Sequence, residues 1–127
     1  MKELDKIMGA ILLAERDEAR NIYNSVDDRW LLTDFHKAIY QVMGRLFGSG
    51  DVPDLVNVST SIRDVKGYKK DWLLGVSELT SGVTHLDLMH IGSLLGKCDE
   101  AFTERRASIL TSNLTQTITN GVFIHRS

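Results

Sequence analysis

The sequence predicts an all-α fold: a small helical bundle whose head holds about five helices, followed by an extended C-terminal helical arm or hairpin. Three observations carry this. Apolar residues recur along most of the chain at the three- and four-residue spacing of one helical face. No stretch of any length alternates apolar and polar as a half-buried strand does, and the short "VNVST" at 56–60 reads better as a helix start. At 127 residues, 43% hydrophobic and 25% charged, the composition is that of one ordinary globular domain.

The elements follow in order. Leu4, Ile7, Met8, Ile11 and Leu12 share one face, so Glu3 to Ala14 reads as the first amphipathic helix. Gly9 lies inside it at a cost of about 1 kcal/mol against alanine, which points to close approach by another element. Ala19, Ile22, Tyr23 and Val26 suggest a shorter second helix from about Glu18 to Ser25. "VDDRWLL" is then a connection anchored to the core by Trp30. Thr33 caps the third helix and Asp34 suits the positive end of its dipole. Phe35, Ile39, Val42, Met43, Leu46 and Phe47 line its inner face as far as Gly48, where Gly48-Ser49-Gly50 offers the positive φ that ends a helix. Pro53 presets a turn, and Asn57 is placed to cap a fourth helix through Val58, Ile62 and Val65, closed by Lys66 and Gly67. Trp72, Leu73, Val76 and Leu79 give the fifth.

From His85 the chain reads as helical for a long way, with Leu88, Ile91, Leu95, Cys98 and Phe102 spaced 3, 4, 3 and 4 apart. That is the seam of a coiled coil or helical hairpin. Leu110, Leu114 and Ile118 drift off the seam, which a bend, a turn near Thr103 to Ser108 or a change of partner would each explain. The head is assigned to 1–82 and the arm to 83–127. An apolar stripe longer than the head can cover usually meets a partner, so the five seam residues are the candidate self-association surface. Folding of the arm back onto its own head is the plainer alternative.

Composition narrows the function classes. A formal net charge of −2 provides no broad field for a phosphate backbone, so any nucleic-acid surface has to be local. Lys66, Lys69 and Lys70, with Arg105 and Arg106, are the local basic groups and read first as solvated faces. Cys98 is the single cysteine, which rules out an internal disulfide and a thiolate-rich metal site and fits a reducing cytoplasm. "IMGAILLA", Ile7 to Ala14, is too short for a membrane span of about 20 residues and is flanked by acids, unlike a secretion signal.

Chemical readings of single motifs are weak. His36 heads an apolar face, and His85, His90 and His125 form no i, i+4 pair, so His36 reads as a packed histidine bonded to a backbone carbonyl or water. Gly48-Ser49-Gly50 lacks a following Lys-Ser/Thr pair and follows a helix, so it is no phosphate loop. Asp51 and Asp54, like Asp27 and Asp28, sit in turns where aspartate satisfies backbone donors. Neither catalytic residues nor a cofactor or metal is expected.

In order and spacing, "LDKIMGAILLAE", "FHKAIYQVMGRLF" and "VPDLVNVSTSI" resemble the N-terminal domain of the DnaB-type replicative DNA helicases. The residues that carry it are Gly9 and Ala10 in the first helix, His36, Ile39 and Tyr40 in the third, and Asp54, Leu55 and Val56 before the fourth. The likeness covers Leu4 to Val65 and extends to Trp72 to Leu79. It implies a non-motor assembly domain whose arms pair into dimers within a hexameric collar that binds primase and encloses single-stranded DNA, with the ATPase in a separate domain. The alternatives are a helicase-binding helical domain of a primase, a small all-α interaction module, and a small metal-dependent or hydrolytic enzyme.

Overall fold

The computed structural model describes residues 2–104, and all regular structure among them is helical. The α-helices are α1 (Lys2–Leu13), α2 (Arg16–Ser25), α3 (Asp34–Gly48), α4 (Leu55–Ser61), α5 (Asp71–Ser81) and α6 (His85–Met89). A seventh, α7, occupies 91–104. Short 3-10 turns stand at Asp28–Trp30 and Ile62–Asp64.

The first helix is the centre of the bundle. Its six consecutive residues from Ile7 to Leu12 are all buried, the mark of a helix covered on every side. It packs against α2, α5 and α6, while α4 bridges α3 and α5. Gly9 meets α5 so closely that a Cβ there would overlap the Leu79 carbonyl oxygen and the Val83 side chain. Gly75 on α5 gives the same access to the Phe35 ring. Trp30 is 4% exposed, so the loop anchor expected from the sequence is in place.

Capping chemistry sets the helix ends, with two departures from expectation. Thr33 does cap α3, its hydroxyl accepting from the His36 amide at 3.1 Å. That helix runs through Gly48 and is stopped by Gly50 alone, at φ 81°. There the Asp51 amide donates to Leu46 at 2.8 Å and the Gly50 amide to Phe47 at 3.1 Å, the paired bonds of a Schellman stop. The fourth helix starts at Leu55 and is capped by Asp54, whose carboxylate accepts from the Asn57 amide at 2.8 Å. Asn57 instead sits in the first turn and donates its side-chain amide to the Val52 carbonyl at 2.8 Å. Both residues are good caps, and the conformation of the turn around buried Pro53 decides between them.

The arm also differs from expectation. A capping box starts α6, with Thr84 and Asp87 each accepting from the other's amide, at 3.2 and 2.9 Å. The helix then breaks at His90, with φ −124° and ψ 37°. Beyond the break α7 lies on the head: Leu94 (6% exposed) and Cys98 (0%) join the core, and Ile91, Leu95 and Phe102, like Leu88 on α6, pack on it half-buried. The core therefore crosses the boundary drawn at 82/83. An ion pair from Lys6 on α1 to Asp87 at 3.3 Å fastens the arm's start. At the other end the Arg29 guanidinium, held by Asp27, lies 5.2 Å over the Phe102 ring. The drift expected at Leu110, Leu114 and Ile118, the turn near Thr103 to Ser108 and the Arg105-Arg106 pair fall in whole or part outside the described residues.

Candidate functional site

His36 is the most buried polar side chain of the head, at 6% exposure. Its two ring nitrogens both have side-chain partners: Nδ1 lies 2.7 Å from the Thr33 hydroxyl and Nε2 lies 2.6 Å from the Asp5 carboxylate. The expectation of a backbone or water partner is corrected here, since Asp5 comes from α1, 31 positions away. The tautomer follows from the donors. The Asp5 carboxylate can only accept, so Nε2–H is assigned as donating to it, and Nδ1 of the neutral ring then accepts the Thr33 hydroxyl proton.

A hydroxyl–imidazole–carboxylate chain has the connectivity of a hydrolytic triad. Here its hydroxyl is engaged as a helix cap, and the chain's evident effect is to tie α1 to the start of α3. Beside it opens a cleft of about 420 Å³ between α1, α3 and α5. Its lining includes Phe35, Trp72 and Leu79, with the carboxylates of Asp5, Asp71 and Glu78 and no cationic side chain. Among the described residues no three or more His, Cys, Asp or Glu side chains converge as a metal site.

The remaining sequence-predicted positions divide by role. Gly9 and Ala10 lie in the α1 core, and Ile39 is fully buried. Tyr40 stacks on Tyr23 with ring centroids 4.5 Å apart, and burial together with the Tyr40 ring and hydroxyl pushes the Tyr23 phenol up to about 12. Asp54 is a cap, Leu55 packs on the core, and Val56 is 70% exposed. None of these meets His36 in the cleft; the cleft's own Phe35 and Trp72 read in the sequence only as members of apolar helix faces, and Glu78 carried no signal. The five seam residues are brought together, though facing the head. Cys98 is chemically quiet there, its thiol pushed up to about 11 by burial and by the Glu3 carboxylate.

Outward from the seam the surface is different. Leu86 and Met89 on α6 are 65% and 63% exposed. Gly92 and Gly96, on α7, have nothing within 4 Å of where a Cβ would stand. No helix among the described residues is long and apolar enough to cross a membrane. No known protein family, curated protein or solved structure matches the chain.

Proposed function

We propose that this chain is a helical interaction domain, and specifically an assembly and partner-binding domain of the kind found at the N-terminus of replicative DNA helicases, without motor activity of its own. One observation supports the reading: two of the residues on which the resemblance rests, Gly9 and His36, are joints of the head. Gly9 lets α1 touch the α5 backbone, and His36 links α3 to α1 through Asp5. A head braced this way is a rigid platform, and its chemistry is spent on holding shape.

Self-association belongs to the same reading, on a different face from the one the sequence pointed to. Leu88, Ile91, Leu95, Cys98 and Phe102 are engaged with the head, so Leu95→Asp should damage folding. Leu86 and Met89, with the open backbone at Gly92 and Gly96, offer the outward surface. The test is light scattering across a concentration series, with a primase titration beside it. The expected result is a concentration-dependent dimer, converted to monomer by Leu86→Asp with Met89→Asp at unchanged helicity. A monomeric wild type that also ignores primase would remove the helicase reading.

A further inference from the structure

We propose that the cleft between α1, α3 and α5 docks an arginine-bearing peptide segment of a partner protein. Phe35, Trp72 and Leu79 form its apolar wall, and its volume of about 420 Å³ suits side chains. The half-buried Phe35 ring, 6.2 Å from Trp72 at 58°, reaches this wall only because Gly75 lacks a side chain: a Cβ there would stand 2.7 Å from the ring. A second cleft of about 200 Å³ shares Asp5, Glu78 and Leu79 with the first. The two make one groove along α1 and α5, long enough for an extended segment.

Charge complementarity decides the occupant. Asp71 and Glu78 are exposed and join no ion pair among the described residues. Asp5, half-exposed, gives one carboxylate oxygen to His36 and keeps the other. The cationic side chains, Lys2 and Lys6, line only the second cleft, and Lys6 is already paired with Asp87. The carboxylates are spread along the groove, and no three acids, histidines or cysteines converge as a metal site among the described residues, so the cation they attract is an extended one. A guanidinium fits both parts of the wall, its plane packing on an aromatic ring while its fork donates to carboxylates. An ammonium stacks less well, and an acidic segment is repelled. The inference deepens the interaction-domain reading and rests on it without its helicase part; peptide binding tests the one, oligomer mass and primase binding the other, so either can fail alone.

The direct experiment is anisotropy of a short labelled peptide, with arginines spaced among leucines, titrated with the 127-residue chain. The same peptide with citrulline for each arginine keeps the shape without the charge and should bind about 10-fold more weakly. Asp71→Asn with Glu78→Gln should lose about 10-fold as well, and Phe35→Leu about 3-fold, as expected for one cation–π contact. Circular dichroism checks that each variant keeps its helices. Absent binding at low salt, equal affinity of the citrulline peptide, or unchanged affinity of the Asp71→Asn, Glu78→Gln protein would each overturn the proposal. Two further outcomes would replace the occupant and overturn it too. Arginine amide competing as well as the whole peptide would make the ligand a small cation, and a change of oligomer mass in the same double variant without a change in peptide affinity would place a second copy in the cleft.

Discussion

Gly9 in α1 and Gly96 in α7 are both interior helical glycines, and they stand in opposite surroundings. Each gives up about 1 kcal/mol of helix propensity relative to alanine. Gly9 recovers it through contact, because α5 approaches until the Leu79 carbonyl occupies the space a Cβ would need. Gly96, like Gly92, has open space around it. The difference teaches where the bundle is committed. The α1–α5 seam is closed on all sides, whereas α7 is engaged on one face only, through Leu94 and Cys98.

Gly9→Ala tests the closed side and should be the most damaging. The obstructing atom is backbone, so it cannot swing away, and a loss of about 3 kcal/mol is expected despite better helix propensity. Thermal or urea unfolding would show it; a stabilised Gly9→Ala protein would mean that α5 does not approach α1 this closely.

The Asp5–His36 tie should rank next. His36→Ala removes a buried ring and both its bonds, for about 2 kcal/mol, and Asp5→Ala, on a half-exposed carboxylate, about 1 kcal/mol. In a double-mutant cycle the two should couple by about 1 kcal/mol. Strict additivity would show that the 2.6 Å contact between them contributes nothing.

Gly92→Ala with Gly96→Ala probes the open side and should have the smallest effect, of opposite sign. Each should stabilise the fold by about 0.5–1 kcal/mol. If a second copy docks on this face, the same substitutions should raise the melting temperature while weakening the dimer seen by light scattering. Unchanged self-association would move the interface away from the two glycines.

Much of this was legible in the chain because it is periodic or local. The spacing of Leu4, Ile7, Met8 and Ile11 announces α1, and Thr33 three residues before His36 announces the α3 cap. The α4 start was misplaced because Asp54 and Asn57 have nearly equal capping power, and spacing cannot choose between them. The break at His90 left no mark, since the 3, 4, 3, 4 pattern of Leu88 to Phe102 runs through it uninterrupted. In the candidate site, His36 was visible and Asp5 was not, because nothing in a sequence relates two residues 31 positions apart.

By itself, then, the sequence determined the helical class, most of the helix ends and the set of apolar faces, because these follow from side-chain period and short-range hydrogen bonding. The tertiary structure alone decided what each face meets. It turned the seam of Leu88, Ile91, Leu95, Cys98 and Phe102 inward, gave His36 its carboxylate, and set Phe35, Trp72 and Glu78 around one cleft. An apolar stripe lowers its free energy against any apolar surface of matching shape, its own head or a second copy alike, so periodicity specifies that a face is covered without specifying by what.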